Sequence, residues 1–132
     1  MTNRAQDRFT QAERDLEQAR DPRAAGSHEW ACFAGQQTAE KALKALHLAR
    51  NQEAWGHVVA RLLEELGAGV AAELLDKAKV LDNFYVATRY ANGHPAGAPF
   101  EHYGCIQSDQ AIQYAGEIIE FARAEMARAR RS

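Results

Sequence analysis

The sequence predicts an all-α protein, an up-and-down bundle of four or five helices that forms a single domain over residues 1–132. Apolar residues recur at steps of three and four along most of the chain, which is the period of one helix face. No segment alternates apolar and polar residues for long enough to indicate a strand. A chain of this length can bury one hydrophobic core but is short for two domains.

The first two predicted helices carry the clearest apolar stripes. Residues 4–20 form the first helix, and Asp21-Pro22 ends it. The second is predicted over residues 28–50, with Ser27 as its N-cap. The stripe of the first helix consists of Ala5, Phe9, Ala12, Leu16 and Ala19, and the apolar face of the second includes Cys32, Ala39, Leu43 and Leu46.

Another face of the second helix is polar and carries Gln37, Glu40 and Lys44. Glu40 and Lys44 stand four residues apart, a favourable spacing for an ion pair on a helix. Two interpretations of this face remain open. The three side chains either line a polar cleft that faces the fourth helix or form a buried polar seam that sets the helix register.

Three further helices complete the predicted bundle. A short one follows a loop at residues 51–56, and a fourth runs from about Val70 to Arg89 or Tyr90. A loop rich in glycine and proline covers about residues 91–104, and the last helix spans roughly residues 108–130. The apolar stripes are Val58, Val59, Leu62, Leu63 and Leu66 in the short helix and Ile112, Ala115, Ile119, Ala122 and Met126 in the last.

One face of the fourth helix is chemically unusual. Asp82, Tyr85 and Arg89 stand at i, i+3 and i+7 and so project from one side, although a solvated or salt-bridged face would show the same pattern. His94 follows Arg89 after four intervening residues and precedes Pro95, which favours an extended conformation. The pair combines a permanent cation suited to phosphate with a side chain that moves protons near neutral pH. Alone, this spacing is a weak signal.

Composition sets limits on the class of protein. The net charge of −2 does not indicate a nucleic-acid binder, and 46% hydrophobic with 26% charged residues is ordinary for a globular chain. The polar N-terminus does not resemble a signal peptide, and no apolar run approaches the roughly 20 residues of a membrane span. We therefore expect a soluble, cytoplasmic protein without a membrane association. Cys32 and Cys105 are predicted to be reduced thiols.

The remaining histidines and the tryptophans are weaker candidates for a site. His57 is expected to be a helix cap or a buried, hydrogen-bonded side chain, and His47 a surface residue of the second helix. His102 is a potential accessory to His94, but no carboxylate or cysteine spacing supports a metal site there. Neither a metal nor a cofactor is expected. Trp30, Phe33 and Trp55 are interpreted as core or interface anchors rather than as platforms for bases.

Three blocks of the sequence resemble the HEPN domain family. Residues 36–46, QQTAEKALKAL, are similar to the QQxAEKALKAL signature, and Gly56-His57 followed by Leu62-Leu63 is similar to the entry into the next helix. Residues 81–90, LDNFYVATRY, are similar to the family's LDxxYxxTRY segment, and His94 completes its R-x4-6-H motif. The blocks stand in family order over about residues 5–125, and they are most similar to stand-alone prokaryotic members.

The resemblance implies a fold and a function. HEPN domains are helical bundles that usually form homodimers, and many are metal-independent endoribonucleases whose R-x4-6-H residues from both protomers meet in one cleft. Stand-alone forms often act as the toxin beside a minimal nucleotidyltransferase antitoxin. Carried over, Arg89 and His94 are the catalytic pair. Asp82 or Asn83 is the upstream polar support, and Tyr85 and Tyr90 belong to the same motif.

The implied reaction is coherent with these side chains. Arg89 would grip the phosphate of an RNA substrate and His94 would act as general acid or base, leaving a 2′,3′-cyclic phosphate and a 5′-hydroxyl. Toxin members often read R-x4-H-x-Y, with the tyrosine modified by the partner enzyme, whereas Ala96 occupies that position here. A non-catalytic HEPN protein that binds a nucleotide or a partner is the alternative.

Overall fold

A computed structural model describes residues 4–21, 27–67, 69–87, 94 and 96–131. Within these ranges the chain forms helices and connecting segments, and no strand is present. The helices are α1 (Ala5–Ala19), α2 (His28–Ala49), α3 (Val59–Glu64), α4 (Ala72–Asp82), α5 (Phe84–Ala87) and α6 (Cys105–Arg131), and a 3₁₀ turn lies at Pro99–His102. The prediction of an all-α bundle is confirmed.

Helix α2 occupies the centre of the bundle. It packs against α1 on one side and against α6 on another, while α3 packs on α4 and α4 on α6. One hydrophobic cluster joins α2, α3, α4 and α6, and a second joins α1, α2 and α6. Both clusters exclude apolar side chains from water, which is the main stabilising contribution for such a bundle.

The predicted apolar stripes are the core of the molecule. Four of the five predicted residues of α1 are buried, and all four of α2 have no exposed surface. The α6 stripe is buried from Ala115 to Met126, with Ile112 partly exposed. A helix whose apolar residues recur every three or four positions presents one apolar face, and that face is the one that is buried. The periodicity of the sequence was therefore enough to predict which side chains are buried.

Gly35 allows α2 and α6 to approach closely. A Cβ atom at this position would lie 3.0 Å from the carbonyl oxygen and 3.2 Å from the Cβ of Ala111 on α6. Real Cβ atoms rarely approach backbone atoms this closely, so a larger residue would push the two helices apart. The polar residues Gln36, Gln37 and Glu40 follow Gly35 along α2, so the polar part of this helix begins directly after the crossing.

His47 was expected on the surface of the second helix, and that prediction is wrong. Its side chain is buried with a relative exposure of 2%. Nε2 lies 2.8 Å from the carbonyl oxygen of Leu62, and Nδ1 lies 3.2 Å from Oε1 of Gln52. The apolar pattern treats a histidine as polar, whereas the backbone carbonyl of α3 supplies the hydrogen bond that makes its burial favourable.

The fourth helix was predicted to continue to Arg89 or Tyr90, but the described part of it is divided at Asn83. The N–H of Asn83 is shared between the carbonyl oxygens of Lys79 at 3.3 Å and Val80 at 3.2 Å, which tightens the last turn of α4. A four-residue helix, α5, follows. Residues 88–93 lie outside the described residues, so the predicted end of the helix lies outside them too.

No helix in the described ranges combines the length and the apolarity needed to cross a membrane.

Candidate functional site

His94 is half-buried and lies among aromatic side chains of the segment before α6. Its Nε2 is 3.4 Å from the hydroxyl oxygen of Tyr103, and the two rings meet edge to face at 5.5 Å between centroids. The ring of His102 stacks parallel on the His94 ring at 4.0 Å, and Nε2 of His102 is hydrogen-bonded to the carbonyl oxygen of Ala96. We refer to His94, His102 and Tyr103 as the His94 cluster.

Tyr103 is suited to donate a hydrogen bond to His94. Burial, with a smaller contribution from nearby Cys32, raises the pKa of the Tyr103 phenol above its ordinary value, so the hydroxyl keeps its proton at neutral pH. Its ring packs edge to face on Phe84 of α5 with centroids 5.9 Å apart. The phenol therefore occupies a position set by the bundle and can orient the imidazole.

Arg89 and Tyr90, the other motif residues that were predicted to be functional, lie outside the described residues. Asn83 is exposed at the end of α4. Of the two polar residues proposed as support upstream of the arginine, Asp82 is the one whose side chain makes contacts between helices.

The Asp82 carboxylate binds the start of α3. Oδ1 accepts a hydrogen bond from the N–H of Val59 at 2.7 Å, and Oδ2 accepts one from the N–H of Ala60 at 2.9 Å. Nε2 of the buried Gln36 also approaches Oδ1, at 3.4 Å. The first N–H groups of a helix have no partner within it, and an anion placed there satisfies them. Asp82 thus joins α4 to α3 and to α2.

The polar face of α2 forms a seam between helices, which we call the Glu40 seam: Gln36, Gln37, Glu40 and Lys44. Gln36 has no exposed surface and Glu40 has 7%. Nε2 of Gln37 donates to Oε1 of Gln36 at 2.7 Å, and Nζ of Lys44 lies 3.3 Å from Oε2 of Glu40. The buried polar groups of Gln36 and Glu40 each have a partner, as burial requires.

His57 completes the seam at the surface, which its sequence position did not indicate. Its Nδ1 lies 3.0 Å from Oε1 of Glu40, and its own carbonyl oxygen accepts a 2.6 Å hydrogen bond from Nε2 of Gln36. The side chain was expected as a cap or as a buried histidine, but 57% of it is exposed. Glu40 and His57 are 17 positions apart in different elements, so no local pattern links them.

A row of aromatic rings borders the seam. Trp30 meets Phe33 edge to face at 5.9 Å, Phe33 stacks on Tyr85 at 6.1 Å, and Tyr85 stacks on His57 at 5.2 Å. Trp30 is 56% exposed and therefore no part of the core, contrary to one of the two predicted roles. Tyr85 thus places α5 against Phe33 and His57. Asp82 of α4 binds the backbone two residues after His57, at Val59.

The two cysteines have different surroundings, and both are free thiols as predicted. Burial raises the pKa of the Cys32 thiol to about 12, and the charge of Glu29 adds to this effect. Cys105 is exposed at the start of α6, with Sγ 3.7 Å from Nε2 of His28; Nδ1 of His28 lies 2.8 Å from Oγ of Ser108. In the part of the chain that the structure covers, no group of three or more histidine, cysteine or acidic residues could hold a metal ion.

These surroundings predict a clear difference in thiol reactivity. In native protein at pH 8, iodoacetamide should alkylate Cys105 and leave Cys32 unmodified, because the thiolate is the nucleophile and Cys32 stays protonated and buried. Mass spectrometry of the intact protein and of its peptides measures this. Both thiols should react in guanidinium chloride, and Cys105→Ser should show no modification in the native state. Rapid native modification of Cys32 would contradict the packing around it.

Comparisons with known proteins identify the family. The HEPN domain model matches residues 5–125. A crystal structure of TT1696 from Thermus thermophilus superposes with a TM-score of 0.89 at 44% identity, covering 94% of this chain and 99% of that one. ST0689, an archaeal HEPN homologue, gives 0.80 at 37% identity with 95% and 99% covered. An HEPN domain protein from Thermotoga maritima, tm0613, gives 0.73 at 34% identity with 92% and 98% covered.

A search of curated proteins gave no significant match. The HEPN family includes ribonucleases and toxins that are associated with nucleotidyltransferases. Because the family model covers nearly the whole chain and the related structures agree over their full length, the chain belongs to the HEPN domain family.

Proposed function

We propose that this HEPN protein is a metal-independent endoribonuclease and the toxin of a toxin–antitoxin pair with a minimal nucleotidyltransferase. Arg89 binds the scissile phosphate, and His94 acts as a general acid or base. The family supports this assignment because it includes ribonucleases, and the chain carries the R-x4-H spacing.

The observation that carries the proposal is the position of His94. Its imidazole is half-buried, stacked on His102 and within hydrogen-bond distance of the Tyr103 hydroxyl. Proton transfer requires the ring of the catalytic imidazole to be held in position, and these contacts hold the His94 ring in this way.

Cleavage without a metal requires three things of the protein. One group removes the proton of the 2′-hydroxyl, another protonates the leaving 5′-oxygen, and a cation stabilises the charge on phosphorus. His94 supplies a proton-transfer group and Arg89 the cation. A second protomer would present both residues again in a shared cleft.

Exposed apolar side chains support a homodimer. Large hydrophobic residues seldom stay in water when a partner surface is present, and clusters of them mark contact sites. The described residues of this kind are Trp30, Trp55, Val58, Phe100 and Ile106, which are 51–82% exposed.

The nucleotidyltransferase partner would need a target near the active histidine. Ala96 stands where related toxins have a tyrosine. Tyr103 places a phenol 3.4 Å from Nε2 of His94 although it lies nine residues further along the chain. A nucleotide joined to this hydroxyl would obstruct His94 and inactivate the enzyme, so Tyr103 is the target we propose for the partner.

Incubation of the purified protein with RNA in EDTA tests the proposed activity. We expect cleavage that leaves 2′,3′-cyclic phosphate and 5′-hydroxyl ends, and loss of cleavage in both Arg89→Ala and His94→Ala. Gel electrophoresis with end-specific enzymatic treatment identifies the ends. RNA or nucleotide binding without cleavage would instead favour the non-catalytic HEPN function, and cleavage that survives both substitutions would point to a contaminating nuclease.

A further inference from the structure

Three polar side chains meet where the first residue of α6, Cys105, lies beside the first residue of α2, His28. Sγ of Cys105 lies 3.7 Å from Nε2 of His28, a hydrogen-bond distance for a sulfur atom. Nδ1 of the same ring lies 2.8 Å from Oγ of Ser108, one turn further along α6. Both nitrogens of one imidazole thus contact side chains of another helix. We refer to Cys105, His28 and Ser108 as the Cys105 cluster.

The hydroxyl of Ser108 determines which nitrogen of His28 carries the proton. Ser108 is buried with a relative exposure of 5%, and its Oγ lies 3.3 Å from the carbonyl oxygen of Cys105. A carbonyl oxygen can only accept, so the single hydroxyl proton is donated to it. The same Oγ therefore accepts a hydrogen bond from His28. In the neutral ring this places the proton on Nδ1 and leaves the lone pair on Nε2.

The lone pair on Nε2 faces the thiol of Cys105. The S–H group is the donor in this contact, and the imidazole nitrogen is the acceptor. The ring is held from its other side by the buried Ser108, which fixes the tautomer and the ring position. A nucleophile beside a base that a third group orients is the arrangement that activates thiols and hydroxyls for attack.

Cys105 is accessible to dissolved reagents, in contrast to the second thiol. The side chain of Cys105 is exposed, whereas Cys32 has no exposed surface and burial raises its pKa to about 12. Reactive cysteines combine access with a neighbouring group that promotes loss of the thiol proton. Cys105 has both properties, and Cys32 lacks access.

We propose that Cys105 is a modification site that forms mixed disulfides with low-molecular-weight disulfides, and that His28 is the base of this reaction. Thiol–disulfide exchange needs a nucleophilic sulfur and a disulfide, and the disulfide is the only oxidant. Ser108 acts as a positioning residue, because it contacts the imidazole and not the reagent.

The exchange balances in atoms and electrons. Nε2 of His28 takes the thiol proton while Sγ of Cys105 forms a bond to one sulfur of the disulfide. The sulfur–sulfur bond of the reagent breaks, and the second sulfur leaves as a thiolate that takes the proton from the imidazolium. Cys105 is oxidised to the mixed disulfide, and the released half of the reagent is reduced to a thiol.

His28→Asn tests the role of the base. The asparagine Nδ2 can replace Nδ1 as the donor to Ser108, but it offers no basic nitrogen to Cys105. At pH 6.5 an ordinary thiol with a pKa of about 8.5 is ionised in only about 1% of molecules, so we expect the rate constant to fall about 10-fold. The probe is dithionitrobenzoate, an aromatic disulfide whose released thiolate is measured by absorbance in a stopped-flow instrument.

The pH dependence of the rate distinguishes a base from a structural support. Without a base, the rate should follow the ionised fraction of the thiol and rise about tenfold for each pH unit below the ordinary thiol pKa. His28→Asn should show this steep rise and the wild type a shallower one, with Ser108→Ala between them. His57→Asn is the matched control, because it removes an exposed imidazole that contacts Glu40, and its rates should equal those of the wild type.

The site of reaction is identified with a second probe, oxidised glutathione, and peptide mass spectrometry. We expect the glutathione adduct on Cys105 in the native protein. An adduct on Cys32 would contradict the proposal, and equal pH profiles of the wild type and His28→Asn would overturn the role of His28. If wild-type Cys105 reacts at pH 6.5 no faster than the thiols of the protein unfolded in guanidinium chloride, the modification site itself is wrong. RNA cleavage enters none of these measurements, so their outcome is independent of the proposed ribonuclease function.

Discussion

Replacing Arg89 with alanine is expected to lower kcat/KM for RNA cleavage by about 1,000-fold, which corresponds to about 4 kcal/mol of lost transition-state stabilisation. Cleavage places negative charge on the oxygens of a five-coordinate phosphorus. A guanidinium binds two such oxygens at once and carries its charge at every working pH. Initial rates with a fluorogenic RNA in EDTA, measured over a range of substrate concentrations, give the value.

Two control substitutions bear on the interpretation. Arg89→Lys keeps the charge but loses the paired donors, so its rate should lie between those of the wild type and Arg89→Ala. Arg8→Ala removes an exposed arginine from α1 and should leave the rate unchanged. An equal loss in Arg8→Ala would mean that overall charge, and not a site, controls RNA binding. Normal cleavage by Arg89→Ala would overturn the assignment of the phosphate-binding residue.

The inactive variants also test whether two protomers share the site. Arg89→Ala and His94→Ala, co-expressed with different tags and purified as the mixed dimer, leave one intact arginine and one intact histidine on different chains. Partial recovery of cleavage in the mixed dimer is expected if the cleft combines residues of both copies. If each chain completes its own site, the mixed dimer should be as inactive as either parent.

The fold was predictable because its determinants are local and periodic. The apolar stripes of α1, α2 and α6 are read directly from steps of three and four, and the structure buries them as predicted. The division of the fourth helix at Asn83 was not predictable in this way. It depends on how one N–H is shared between two carbonyl oxygens, and the apolar period is the same on both sides.

The residues of the candidate site were inferred from a sequence motif, and their contacts could not be predicted from it. The motif indicated His94, yet its neighbour Tyr103 lies in a stretch of irregular backbone that no periodic rule describes. The pairing of Glu40 with His57 was missed for a related reason. A buried acid such as Glu40 on α2 requires a partner, and this requirement was the available signal. The partner, His57, comes from a loop, which the helical pattern does not describe.

Asp82 joins α4 to α3, and its replacement by alanine is expected to lower the free energy of unfolding by about 3 kcal/mol. The substitution removes the acceptors of two backbone N–H groups, those of Val59 and Ala60, whose residues are 0% and 6% exposed. Because both residues are buried, water cannot replace the lost carboxylate. Each N–H group therefore contributes most of the free-energy cost of an unsatisfied hydrogen bond. Denaturation in urea followed by circular dichroism measures the change.

Related substitutions show which property of Asp82 is responsible. Asp82→Asn keeps one acceptor oxygen and should lose about 1 kcal/mol, because a neutral acceptor binds helix N–H groups more weakly than a carboxylate. Asp76→Ala removes an exposed carboxylate from the same helix, α4, and should change stability by less than about 0.5 kcal/mol. Only Val58 separates His57 from α3, so the loss of Asp82 should also displace that imidazole from Glu40. An imidazole that keeps its contact with Glu40 in the destabilised variant would show that His57 is held by Glu40 and Tyr85 without the help of α3.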